Sequence, residues 1–231
     1  MQKGLDYLLN KYSVGTDAVL AERGETVKVG SEDYPVLAWE QERRFVELRG
    51  LVVGGRVGSP CTYRIAHAAN VGEDIFALLK RELGILEFTV NSPVCEIFAI
   101  AGKSTLNCIA ETECGCVATI ELATTLKSGN EHVDKHEIIA DGGVCCDRVV
   151  DTQVPQQSIY LFGEEKATFR DTDAELYGYT EGEINTIRTA FALAKSEEYR
   201  SATVARNAHL EAVVTAAKKS LDTLENVKVE G

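Results

Sequence analysis

No apolar run in this 231-residue sequence reaches the roughly 18 to 20 residues needed to cross a bilayer. Met1 to Lys11 mixes charged and apolar residues and has no signal-peptide h-region. A cytoplasmic protein without a membrane partner is the expectation. Positive charge is also short: 24 Lys and Arg stand against 36 Asp and Glu, a formal net charge of −12. That balance disfavours non-specific binding to nucleic acid or to an anionic membrane surface. The seven cysteines are odd in number and the chain is not small, so reduced thiols are expected rather than a disulfide framework. With 45% hydrophobic and 26% charged residues, wholesale disorder is excluded. The length suits one large domain, or one domain plus a remnant.

Two short amphipathic segments, Gly4–Tyr12 and Thr16–Arg23, open the chain, followed by a strand at Thr26–Val29. Pro35 can start a helix as its first residue, and Val36 to Val53 places Phe45, Leu48 and Val52 at helical spacing. A strand at Pro60–Ala68 precedes a helix from Gly72 to Leu83, which Gly84 is expected to stop. The period then changes. Val94–Ala101, Leu106–Ala110 and Cys116–Thr124 read as strands, the last with Cys116, Ala118, Ile120 and Leu122 on one side and Val117, Thr119 and Glu121 on the other.

His136–Ala140 and Val144–Val150 flank an Asp141-Gly142-Gly143 turn, and Ser158–Phe162 and Ala167–Arg170 flank Gly163-Glu164-Glu165. Glu183–Lys195 and Thr203–Leu224 are amphipathic helices. The order predicts an α+β fold: an open, mostly antiparallel sheet with helices packed on one face.

Several local strings resemble the Gfo/Idh/MocA oxidoreductases. Glu42 to Leu48 running into Gly54-Gly55-Arg56-Val57-Gly58 is similar to the segment that leads into the first strand of that family's C-terminal sheet. The family's D-x-G-x-H-x-x-D opens its active-site helix and is closed by a glycine ten residues after the histidine. Asn70-Val71-Gly72-Glu73-Asp74-Ile75-Phe76-Ala77 runs to Gly84 without a gap. The last helix, Arg206 to Val213, adds to the likeness, which covers residues 18 to 228.

The family's N-terminal Rossmann domain begins with a glycine-rich turn whose backbone amides meet the pyrophosphate. This sequence has no G-x-G-x-x-G, its Gly50–Gly58 cluster follows a helix, and the E-K-P segment is absent. Residues 1–35 are therefore expected to be a remnant of a nucleotide-binding domain, and residues 36–231 the sheet domain.

Hydride transfer at an alcohol needs a group that handles the hydroxyl proton. The matched positions hold Asn70 and Asp74, and the later aspartate position is Ala77. An amide exchanges no proton at neutral pH, and a carboxylate needs burial to act as an acid there. Asn70 and Asp74 are thus the candidate catalytic residues by resemblance; the plainer readings are a loop residue and a helix N-terminal carboxylate. Lys80 and Arg81 read as a solvated helix face. His67 and His209 are singly placed, and Trp39, Tyr177 and Tyr179 read as packing or interface anchors.

Cys114-Gly115-Cys116 and Cys145-Cys146, with Cys108 or His136, raise a metal site. Adjacent Cys145 and Cys146 must point to opposite faces, however, and no C-x₂₋₄-C pair is present, so buried reduced cysteines are the plainer reading and no metal is expected.

Two functions follow. The first is a domain protein, not catalytic alone, acting in oligomerisation or ligand binding. The resemblance implies a homodimer or homotetramer through the open sheet face, and the apolar face of Cys116–Leu122 suits that role. The alternative is a subunit or fragment of an NAD(P)-dependent sugar or polyol dehydrogenase, completed by a separate nucleotide-binding chain. No cofactor is expected for the chain alone, and NAD(P) with such a partner.

Overall fold

The computed structural model describes residues 1–147, 159–162, 166–169 and 173–230. In chain order the elements are helix α1 (Gln2–Lys11), strands β1 (Ala18–Leu20), β2 (Thr26–Val29) and β3 (Glu32–Pro35), a 3-10 turn at Ala38–Gln41, helix α2 (Arg43–Val53), strand β4 (Pro60–Asn70) and helix α3 (Ile75–Val90). Strands β5 (Val94–Ala101), β6 (Thr105–Thr112), β7 (Val117–Leu126), β8 (Val133–Ala140), β9 (Gly143–Cys146), β10 (Ile159–Phe162) and β11 (Lys166–Phe169) follow. Helices α4 (Glu181–Lys195) and α5 (Glu197–Thr223) and the short β12 (Val227–Lys228) end the chain. They form two compact units, Met1–Ala38 with Arg148–Ser201, and Trp39–Asp147 with Ala202–Gly231.

In the first unit β1, β2 and β3 pair antiparallel in sequence order. Leu5 and Leu8 of α1, Val27 of β2 and Ile187 and Leu193 of α4 are fully buried together. Helix α4 starts at a capping box in which Thr180 and Glu183 satisfy each other's backbone amides. Residues 173–201 therefore share a core with the N-terminal segment, although sequence order alone grouped them with the sheet that follows residue 35. An amphipathic stripe says that a helix needs a partner, not which one. β10 and β11 pair antiparallel. The expected strand ends at Val150, Ser158 and Arg170 and the Gly163-Glu164-Glu165 turn lie outside the described residues.

The second unit holds a seven-stranded sheet in the order β12-β5-β6-β7-β4-β8-β9. Only β4 and β7 are parallel; the other neighbours are antiparallel. This is the expected open, mostly antiparallel α+β sheet. Strand alternation turns Tyr63, Ile65, Ala118, Ile120, Leu122 and Ile138 inward, where Leu79, Leu83 and Leu86 of α3 are fully buried. The apolar Cys116–Leu122 face, expected to meet another subunit, is thus covered by the chain's own α3. The sheet's uncovered face is the opposite one, with Ile100, Ile109, Val117 and Val144 exposed among polar residues.

Three local expectations change. Within the Thr16–Arg23 segment lies β1, a strand. Pro35 closes β3 rather than opening a helix; β3 is an edge strand, where a missing N–H is tolerated. Gly84 does not stop α3, which continues to Val90 and ends at Asn91 in the left-handed conformation with φ 57°. Gly84 is there for contact. A Cβ at this position would lie 2.5 Å from Trp39 Cζ2 and 3.1 Å from Leu210 Cδ1.

Gly84→Ala recovers up to about 1 kcal/mol of helix propensity but must displace a buried indole, at about 1–3 kcal/mol. The variant is expected to unfold at lower urea concentration than the parent. An unchanged or higher midpoint would show that Trp39 yields without cost.

Candidate functional site

On the covered side of the second unit's sheet, inward positions that would ordinarily be apolar carry ionisable groups. β4 turns His67 inward and β8 turns Asp134 and His136 inward, with Ile65 opposite His136 and His67 opposite Asp134 across the antiparallel pair. α3 lays Glu82, wholly buried, over both strands. Its two oxygens are shared: Oε1 lies 2.7 Å from His67 Nδ1 and accepts from Arg81 Nη1 at 2.5 Å, while Oε2 lies 2.8 Å from His136 Nε2.

His136 continues the chain of hydrogen bonds. Its Nδ1 lies 2.7 Å from Asp147 Oδ2 and its backbone N–H donates to Asp147 Oδ1 at 2.8 Å. Arg44 of α2 closes the inner end, donating to Asp147 at 2.9 Å, to both oxygens of Asp134 at 2.7 and 2.6 Å, and to Glu42. The Phe45 ring meets the His136 ring edge to face at 4.8 Å and carries the Arg44 guanidinium 4.4 Å above it, so the charges sit in an apolar frame.

At the other end the network reaches solvent. His67 Nε2 lies 3.2 Å from His132 Nδ1, and His132 Nε2 lies 2.7 Å from Glu73 Oε1. The same Glu73 oxygen accepts from the Asn70 backbone N–H at 3.3 Å.

Burial and partners oppose each other at Glu82, His136 and Asp134. Burial alone would raise the Glu82 carboxyl, but the hydrogen bonds from His136 and His67 and the Arg81 charge hold it well below the usual carboxylate range. Burial likewise works against a charged His136, yet the hydrogen bonds to Asp147 and Glu82 push it up to about 9. Asp134 is desolvated too, and the Arg44 guanidinium still brings it down to about 2.

The expected site residues lie at the outer end. Asp74 is the N-cap of α3, its Oδ1 accepting from the Phe76 N–H at 2.9 Å. Asn70 ends β4 and donates from Nδ2 to the Asn130 carbonyl at 3.0 Å, while its Oδ1 is buried without a hydrogen-bond partner. Ala77 is exposed. Lys80 pairs with Glu211 on an exposed face, but Arg81 belongs to the buried network rather than to a solvated surface.

His209 Nε2 stands 2.9 Å from Glu87 Oε1, close enough for an ion pair but without the alignment of a hydrogen bond. Trp39 is buried against Phe88, and Tyr177 is exposed. Cys145 is buried and Cys146 exposed, as alternation requires. Among the described residues no three His, Cys, Asp or Glu side chains converge as metal ligands.

Neither a family model nor a curated protein sequence matches the chain. Solved structures do. A scyllo-inositol dehydrogenase from Lactobacillus casei with bound NAD(H) and scyllo-inositol superposes with a TM-score of 0.60 at 12% identity, over 84% of this chain and 63% of its own. A myo-inositol dehydrogenase from Corynebacterium glutamicum ATCC 13032 gives 0.60 at 13%, over 84% and 64%. A myo-inositol 2-dehydrogenase from Lactobacillus plantarum gives 0.60 at 10%, over 84% and 64%. The fold is of the Gfo/Idh/MocA type. At these identities the likeness is one of fold, and the chain spans less than two thirds of the length of these dehydrogenases.

The described part of the first unit lacks the Rossmann means of holding a dinucleotide. The first unit's three-stranded sheet is antiparallel throughout, so it offers no strand–helix–strand crossover to aim a helix N-terminus at a pyrophosphate. The Gly50–Gly58 cluster follows α2.

The raised His136 imidazolium stabilises the fold fully below its ordinary value of 6.5, and that contribution is lost as pH rises through about 9. Stability from denaturant unfolding is expected to fall across pH 6.5 to 9, by on the order of 3 kcal/mol. A flat profile over that window would mean that His136 is neutral between its carboxylates.

Proposed function

We propose that this chain works as the C-terminal, sheet-bearing part of a Gfo/Idh/MocA-type system acting on sugars or polyols. In this reading it associates through its uncovered sheet face, binds a polyhydroxylated ligand near the start of α3, and does not transfer hydride by itself. The carrying observation is the fold shared with three inositol dehydrogenases over 84% of the chain and about 63% of theirs, one of them solved with NAD(H) and scyllo-inositol. Those proportions suit a chain equivalent to a C-terminal part.

The uncovered face supports association. Ile109 is 50% exposed in the middle of the sheet, with Ile100 and Val117 on neighbouring strands, and in this reading these apolar side chains, set among polar ones, anchor the contact. A second reading, an NAD(P)-dependent dehydrogenase completed by a separate nucleotide-binding chain, is favoured by one observation: the His132 imidazole emerges beside the Asn70–Asp74 segment, paired with Glu73.

Sedimentation of the full chain is expected to give a dimer or tetramer, and Ile109→Lys a shift toward monomer. Fluorescence titration is expected to show no tight binding of NADH or NADPH by the chain alone. A monomeric parent sinks the association; tight nucleotide binding sinks the claim that another chain must supply the cofactor.

A further inference from the structure

Three hydrogen bonds place Glu82, His67, His132 and Glu73 in a row, at 2.7, 3.2 and 2.7 Å. Both end groups are acceptors. Glu82 is held ionised by its buried partners, and Glu73, although partly desolvated, is drawn below its ordinary value by the hydrogen bond from His132. The ring nitrogens must then supply three protons, and two neutral imidazoles carry two. The row closes only if the histidine pair holds one excess proton.

The surrounding charge accommodates it. Arg44, Arg81, the His136 imidazolium and this proton make four positive charges against the five carboxylates of Glu42, Glu73, Glu82, Asp134 and Asp147. The groups facing the pair are Glu73 ahead of α3, Arg81 and Glu82 on α3, and Asp134 and His136 on β8.

The two ends differ in what can replace the partner. Glu82 is wholly buried, whereas the Glu73 and His132 side chains are 36% and 38% exposed. If a ligand hydroxyl takes the place of Glu73, it donates to His132 Nε2 instead of accepting from it. The row then needs two ring protons rather than three, and the excess proton leaves to solvent. What remains is a ligand O–H directed at a basic nitrogen. When that O–H bond breaks, its electron pair stays on the ligand oxygen as an alkoxide, a new N–H forms at Nε2, and the Nδ1 proton of His132 passes to His67 Nε2; the reverse shift returns a proton to the oxygen.

We propose that His132 and His67 form a two-histidine proton-exchange site, with His132 Nε2 as the base that receives the hydroxyl proton of a polyhydroxylated ligand at the Asn70–Asp74 end of α3. The ligand class rests on the ligand-binding reading above; the shared proton does not.

Ring-nitrogen NMR of the ¹⁵N-labelled full chain tests the pair directly. Three protonated nitrogens across His67 and His132 are expected, with one acceptor. Glu73→Gln should lower the pH at which the excess proton leaves, since it removes a facing negative charge. His132→Gln, at an exposed position, should return His67 to a single ring proton. One proton on each ring at every pH, or a His67 spectrum indifferent to His132→Gln, overturns the relay.

Calorimetry with myo-inositol in buffers of different ionisation enthalpy tests the ligand. Release of up to one proton per site is expected in the parent and none in His132→Gln. Binding without proton release overturns the role of His132 as base. Absence of any binding sinks the polyol reading and the ligand assigned here, while the ring-nitrogen spectra still decide the shared proton.

Discussion

A single carboxylate, Glu82, sets the architecture of the second unit. A buried carboxylate without partners is prohibitively costly, and Glu82 is wholly buried. Its partners come from β4, from β8 and from its own helix, as His67, His136 and Arg81. Satisfying it therefore fixes where α3 lies over the sheet. His136 passes the constraint on to Asp147 just beyond β9, and Asp147 passes it to Arg44 on α2. Each buried member touches at least two others, so removing one changes the charge balance around the rest.

The same chemistry guards the strand register. Side chains alternate in strands, so a one-residue slip exchanges the two faces completely. In β8 such a slip would bring Lys135 or Glu137 inward in place of His136. Glu137 would set a second carboxylate against Glu82, and Lys135 could not bridge Glu82 and Asp147 with two fixed, opposed donors as an imidazolium does. Hydrophobic burial alone distinguishes these registers weakly, since Val133 and Ile139 on β8's other side are themselves apolar.

Much of the fold was legible because it rests on periodicity. The alternation of Cys116 to Leu122 and the capping role of Asp74 follow from local rules and are found, as is the hairpin at Asp141-Gly142-Gly143, although Gly143 already belongs to β9. Misreadings arose where a local rule met a tertiary contact. Gly84 has the look of a helix stop until Trp39 and Leu210 are seen packed against it.

The charge network was not legible as a set. Its members lie on α2, β4, α3, β8 and the end of β9, and they meet only because β8 inserts beside β4, far from it in sequence. The available signal was subtler: polar residues at inward positions, as with His67 and His136 on alternating strands and Glu82 between Leu79 and Leu83. Each was visible as an anomaly, but an anomaly names no partner.

His136 and His132 show how one motif yields two kinds of site. Each imidazole has both nitrogens engaged. For His136 both partners are buried carboxylates inside the chain, so no nitrogen is left for a ligand and the pairing is purely structural. For His132 one partner is another histidine and the other is Glu73, at the surface. A surface carboxylate gains little from such a pair and is cheaply displaced, whereas Glu82 is not. At this end of α3, Asp74 is committed to capping the helix and Asn70 to the loop at Asn130. The proposed proton exchange needs a residue whose partner can let go, and His132 is paired with such a partner, Glu73.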